Sequence, residues 1–186
     1  ADKMGYVPNR LAADLCGKNR SMTVGLIVPH IRNTIFPSIL ENIEKLLSEH
    51  GYRIFLCCSY NNAIKEFHDI SALLERQVDG IIWCPASLEE SLRAAKLIRK
   101  QKCPLVLMDR ILPGFDSDSV TVDDYQGAYS AVSHLLSLKR RKIAHITTAN
   151  PSWVAEERLR GYRDALREAG IRLDPKMIIK AGSEFD

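Results

Sequence analysis

The 186 residues lack every short motif that would mark catalysis or a bound cofactor. There is no G-x-S-x-G nucleophile turn, no G-x-G-x-x-G or G-x-x-x-x-G-K-[ST] phosphate loop, and no H-E-x-x-H metal pair. Without a nucleophile, a phosphate cradle or a ligand set, enzyme chemistry has no support, and neither a cofactor nor a metal is expected. The five cysteines, Cys16, Cys57, Cys58, Cys84 and Cys103, make no C-x-x-C pair and no Cys/His cluster at metal spacing. Odd in number and mostly set in apolar runs, they read as reduced core thiols of a cytoplasmic protein. The five histidines, at 30, 50, 68, 134 and 145, also lack metal-ligand spacing, and most fall at surface or sheet-end positions. No run of about 18 apolar residues exists, so no membrane span is expected. "ADKMGYVPNR" has no apolar stretch of the kind a secretory signal needs.

What is present is an ordinary globular composition, 46% hydrophobic and 26% charged, long enough for one large domain or two modest lobes. The net charge of +3 is too small to identify a polyanion-binding surface. A short leading segment, "GYVPNRLAADLCGKNRS", places Pro8 where the first turn of a helix tolerates it and Gly17 where that helix stops. About two turns are marginal in isolation, so the segment needs partners outside itself.

From Met22 onward, apolar strand-like runs alternate with amphipathic stretches. "MTVGLIVP", "YRIFLCCS", "VDGIIWCP" and "CPLVLMDR" read as strands, separated by helical patterns in "FPSILENIEKLLSEHG", "AIKEFHDISALLERQ" and "LEESLRAAKLIRKQ". The repeat of ~25–30 residues is that of a strand–helix unit. Strands apolar on both faces imply a parallel sheet covered on both sides, an α/β fold. After Asp109 the rhythm breaks at "RILPGFDSDS", with a short extended piece in "VTVDD". It resumes with helix "YQGAYSAVSHLLSL", strand "KIAHITTA", helix "AEERLRGYRDALREAG" and a last strand "KMIIKA". A lobe boundary is expected near Val122 to Asp124, with the second lobe incomplete.

Ligands of open α/β sheets bind beyond the carboxyl ends of the strands. Those ends carry Pro29 and His30; Ser59, Tyr60, Asn61 and Asn62; Pro85, Ala86 and Ser87; Asp109 and Arg110; and Asn150, Pro151 and Ser152. They suit a small polar ligand held between two lobes. Asp123 and Asp124 point opposite ways in extended chain and read as a loop or helix cap rather than an acid–base pair. The cations of "LKRRK", residues 138–142, read as a solvated helix-to-strand connector rather than a nucleic-acid contact, and the five cations between Arg93 and Lys102 as an exposed helix face. Arg158, in the first turns of a helix that starts at the cleft, either clamps an oxygen-rich ligand or pairs with Glu156 or Glu157. Trp153 either stacks on a ligand ring or belongs to the core.

Taken in order, "GYVPNRLAADL", "TVGLIVPHIRNTIFPSILENIE", "GYRIFLCCS", "LLERQVDGIIWCP", "PLVLMDR", "VTVDDYQGAYSAVSHLLSLKRRKIAHI" and "RLRGYRDALREAGI" resemble the lactose repressor–galactose repressor (LacI/GalR) family of bacterial transcription regulators over nearly the whole chain. The resemblance implies a helix-turn-helix headpiece, of which residues 1–6 are the end; a hinge helix and linker over 7–21; and a two-lobed sensor of the periplasmic-binding-protein type, with one lobe over 22–122 and the start of the second over 123–186. It places the hinge motif on Tyr6, Pro8, Asn9, Arg10, Ala12 and Leu15. Leu15 then levers a base step in the DNA minor groove, or the hinge is a linker with Leu15 buried against the sensor.

The same resemblance places effector contacts on Ile35, Phe36, Asp109, the stretch 152–154 with Trp153, and Arg158. Asp109 would accept hydrogen bonds, Arg158 donate them, and Phe36 or Trp153 supply an apolar wall. Asn33, Thr34, Ile35 and Phe36 stand where the family usually reads Asn-Pro-Phe-Phe or Tyr, and Lys139 and Arg140 replace a usual Gly-His pair. The implied function is a cytoplasmic, homodimeric DNA-binding regulator, most often a repressor, whose operator affinity responds to a small sugar or nucleobase-like effector. The other reading is a stand-alone periplasmic-type sugar-binding protein.

Overall fold

Strand residues alternate between the two faces of a sheet, and the buried residues here sort by that alternation. A computed structural model describes residues 20–32, 34–149 and 152–181. The hinge positions Tyr6, Pro8, Asn9, Arg10, Ala12 and Leu15, with Cys16, lie outside the described residues. The elements run β1 (Thr23–Val28), α1 (Ile35–Glu49), β2 (Arg53–Cys58), α2 (Ala63–Glu75), β3 (Gly80–Trp83), α3 (Ser91–Lys100), β4 (Leu105–Met108), β5 (Asp118–Val120), α4 (Asp124–Ser137), β6 (His145–Thr148), α5 (Trp153–Glu168) and β7 (Ile178–Ala181). The first five strands form one parallel sheet in the order β2-β1-β3-β4-β5, while β6 and β7 pair in parallel in a second. The order reverses between β1 and β3, and a crevice beyond their carboxyl ends is where such sheets take ligands.

Ile27, Ile81, Trp83 and Leu107 face one side of the large sheet and are sealed by Ile70 and Leu73 of α2 and by Ala94, Ala95 and Ile98 of α3. Their neighbours Leu26, Val28 and Met108 face the other side and meet Phe36, Ile39, Leu40 and Ile43 of α1. Both faces are covered, as continuous apolar strands require. Coverage thins at the edge strand β2, where Phe55 and Leu56 are exposed.

The fifth strand begins earlier than "VTVDD" suggests. Residues 118–120 pair with 106–108, and the chain then leaves the sheet so that Asp123 can cap α4 through its side chain, which accepts from Gln126 N at 2.8 Å. All three β5 residues are exposed, so no apolar pattern marks the strand.

The second sheet packs one face on α4 and α5 through Val132, Tyr162, Ala165, Leu166, Ile143 and Ile178. The helices cross at Gly161, where an added Cβ would lie 2.3 Å from the Tyr125 carbonyl oxygen; only glycine allows this approach. Among the described residues no helix is long and apolar enough to cross a membrane.

Candidate ligand-binding crevice

Asp109 sits at the carboxyl end of β4 with φ at +66°, a left-handed conformation that aspartate tolerates better than most residues. The next turn is fixed by its backbone N–H, which donates to the Val120 carbonyl at 2.9 Å. Its carboxylate is largely buried and accepts from the Cys84 thiol at 3.7 Å. Burial pushes the Asp109 carboxyl above the usual aspartate range, opposed first by the neighbouring Arg110 guanidinium. Asp124 raises it further, while the Cys84 thiol and then Arg158 lower it.

Arg110 ties the first-sheet loops together. Its Nη1 donates to Asn61 Oδ1 at 2.9 Å and to the Pro85 carbonyl at 3.0 Å, while its Nε lies 3.8 Å from Asp109. One guanidinium thus joins the ends of β2, β3 and β4. The β2 end turns sharply, with Tyr60 and Asn61 at φ +54° and +52°. Tyr60 packs against the His30 ring at 5.5 Å.

Behind the β3 loop lies Glu66, with no solvent exposure. Its Oε2 accepts from Trp83 Nε1 at 2.8 Å and from Ala86 N at 2.7 Å, and its Oε1 accepts from the Ser91 hydroxyl. Burial raises the Glu66 carboxyl, opposed by these hydrogen bonds. The carboxylate therefore holds the β3 loop at the Ala86 amide and ties it to Ser91 at the start of α3.

Across from this loop, Ser152 caps α5 by accepting from Ala155 N at 3.2 Å and places Trp153, half-buried, at the first position of the helix. A narrow crevice lies between Pro85, Ala86, Ser87, Leu88, Arg110 and Ile111 on one side and Ser152 and Trp153 on the other. One turn further along α5, Arg158 Nε donates to Asp124 Oδ1 at 2.7 Å. Its partner is Asp124, rather than Glu156 or Glu157.

Of the predicted contact residues, Trp153 lines the crevice, Asp109 stands beside the lining residue Arg110, and Arg158 follows Trp153 on α5. Phe36 is 3% exposed and packs with Leu26, Val28, Cys84 and Met108. It supports the Asp109 platform through Cys84 rather than lining the crevice. Ile35 is exposed at the start of α1. Successive helix residues turn about 100° apart, so burying Phe36 turns Ile35 outward.

Sequence reasoning missed Glu66, and it named Arg110 only among the strand-end residues and Asp124 only as a loop or cap. Glu66 stands at i, i+4 and i+7 with the buried Ile70 and Leu73, a charge on the apolar stripe of α2, and that misplacement was the available signal. Asp124, adjacent to the cap, had none. His145, at the amino end of β6, stacks on Tyr162 at 5.1 Å; among the described residues its buried Nε2 has no hydrogen-bond partner, and burial lowers its pKa, with Arg158 and Arg163 adding to the effect. Among the described residues no group of His, Cys, Asp and Glu side chains is arranged to hold a metal ion. The crevice itself presents one guanidinium, Arg110, the Ser87 and Ser152 hydroxyls and the Trp153 indole.

Comparison with known proteins agrees with this architecture. Residues 21–183 match the family described as periplasmic binding proteins and sugar binding domain of LacI family. The chain is 32% identical over 180 residues to the HTH-type transcriptional regulator DegA of Bacillus subtilis, covering 96% of this chain and 53% of that protein. It is 31% identical to the HTH-type transcriptional repressor PurR of Vibrio atlanticus, over 100% of this chain and 55% of that one. The crystal structure of the transcription regulator CcpA of Lactococcus lactis superposes with a TM-score of 0.76 at 32% identity, covering 87% of this chain and 59% of the other. The chain spans about half the length of the curated relatives it matches. The chain belongs to the family of periplasmic binding proteins and LacI-type sugar-binding domains.

Proposed function

We propose that this chain is the effector-sensing part of a cytoplasmic DNA-binding transcriptional regulator, a repressor that acts as a homodimer. Its effector is a small sugar or nucleobase-like compound seated between a lobe over residues 22–122 and a second lobe beginning at 123. The observation that carries the reading is the crevice lined by Arg110 and Trp153, with Asp109 next to Arg110 and Arg158 following Trp153 on α5, which puts donor, acceptor and apolar groups at the strand ends for a ring bearing hydroxyl, carbonyl or N–H groups. Arg158 uses Nε on Asp124, and the rest of its five N–H donors serve the ligand. The relatives are transcriptional regulators rather than enzymes or free-standing binding proteins, which supports the regulator reading over the periplasmic one.

Residues 7–21 are the hinge through which the sensor reaches operator DNA, with Tyr6, Pro8, Asn9, Arg10, Ala12 and Leu15 at the minor groove. Effector binding draws the lobes together and shifts the population of hinge helices able to form on DNA.

The test uses the full-length protein. Palindromic operator DNA is retarded with a steep salt dependence, and a pentose, hexose or purine from a defined panel alters that retardation. Arg158→Ala abolishes the response and leaves operator affinity within twofold; a wild-type calorimetric titration in that variant refutes the clamp. Unchanged DNA binding in Leu15→Ala/Arg10→Ala refutes the hinge.

A further inference from the structure

Gly170, at φ +66°, ends α5 by donating its N–H to the Arg167 carbonyl, and Ile171 N reaches back to Leu166 O at 2.9 Å. The reversal folds the chain back along the helix end and opens a groove of about 470 Å³. Arg163, Arg167 and Arg172 line it, with Ile171 and Leu173 providing apolar surface anchored in the core between α4 and α5. Arg167 is paired with Asp164 at 2.8 Å, whereas Arg163 and Arg172 are exposed and make no ion pair among the described residues.

A second basic run lies at the same end. The α4–β6 and α5–β7 connections both lead into the amino ends of paired parallel strands, with His145 opposite Ile178. The Tyr162 hydroxyl of α5 donates to the Ile143 carbonyl at 2.8 Å, tying that helix to the α4–β6 connection. Residues 139–142 are four exposed cations. With Arg163, Arg167, Arg172 and Lys176 this end carries eight cations against the three acids Asp164, Glu168 and Asp174, a surplus of five when the whole chain has only +3. A concentration of like charge repels itself and attracts opposite charge.

We propose that this groove docks an acidic protein segment bearing apolar side chains. Arginine forks suit carboxylates, and the Ile171 and Leu173 floor takes an aliphatic side chain between them. A duplex presents a convex sugar–phosphate backbone with no aliphatic side chain to enter that floor, so the observations favour a peptide. The groove opens at the far end of a 16-residue helix from Trp153, about 24 Å at 1.5 Å per residue. The groove and the crevice are therefore spatially separate sites.

The experiment is fluorescence anisotropy of a labelled twelve-residue peptide of alternating glutamate and leucine, titrated with the full-length protein at two salt concentrations. Saturable binding is expected, weakened at least tenfold in Arg163→Ala/Arg172→Ala, and only partly weakened in Arg163→Lys/Arg172→Lys. Far-UV circular dichroism confirms that these exposed substitutions leave the fold intact. Three results overturn the proposal: equal affinity in the wild type and the alanine variant; equal affinity for a glutamate–serine peptide of the same charge; or a random-sequence duplex that binds more tightly than the peptide and loses affinity in the same variant.

Discussion

Arg158 and Asp124 form an ion pair of unequal partners: Nε and Oδ1 are 2.7 Å apart, the arginine side chain is 58% exposed and the aspartate 5%. The buried carboxylate depends on the guanidinium, while the guanidinium keeps donors to spare. Arg158→Ala leaves Asp124 short of a partner at the start of α4 and is expected to cost about 1–2 kcal/mol, a charged hydrogen bond discounted for the solvent around the arginine. Urea unfolding measures it as a lowered midpoint with an unchanged slope. Asp124→Asn, which keeps an acceptor, costs less. An alanine variant as stable as the wild type would show that the pair is incidental.

Glu66 serves three donors from full burial. Glu66→Ala strands the Trp83 indole N–H and the Ala86 amide and is expected to destabilise by at least about 3 kcal/mol. Trp83 fluorescence reports the change directly, and the loop over residues 85–88 loses its support.

The same residue sets a pH dependence together with Asp109. Both carboxyl groups are raised by burial, so the folded state holds their protons more tightly than the unfolded chain. Their contribution to stability is full below the ordinary carboxylate values of about 4 and declines as pH rises through the raised folded values. In urea titrations across that window, Glu66→Gln/Asp109→Asn flattens the fall in stability seen in the wild type. A slope identical in both proteins contradicts the assignment.

Two glycines in the paired helices should respond oppositely to alanine. At Gly161 the new methyl meets the Tyr125 carbonyl and the Tyr129 amide at 2.3 and 2.9 Å, both backbone, so α4 and α5 must separate, at a cost of about 1–3 kcal/mol. At Gly127, within α4, nothing lies within 4 Å, and alanine gains about 0.5–1 kcal/mol from helix propensity. Thermal unfolding of the two single variants reads the signs.

The α/β alternation, the parallel pairing and the place of most elements were legible in the sequence. Continuous apolar runs such as "GLIV" and "GIIW" can only be buried on both faces, and the stripes Ile39–Ile43 and Ile70–Leu73 supply the covering helices. Hydrophobic periodicity is local, so it reads from neighbours in the chain. The cap at Asp123 was legible for the same reason. The strand at residues 118–120 was displaced in the reading because its partner is β4, not its own pattern. Which partner Arg158 takes, that Phe36 turns inward while Ile35 turns outward, and that Arg110 and Glu66 knit the crevice loops were decided only in three dimensions. Asp124 is 34 residues from Arg158, Asn61 is 49 from Arg110, and Ser91 is 25 from Glu66. Hydrogen bonds between polar groups far apart in sequence leave no periodic trace. They form where packing of the apolar faces happens to bring strand ends together.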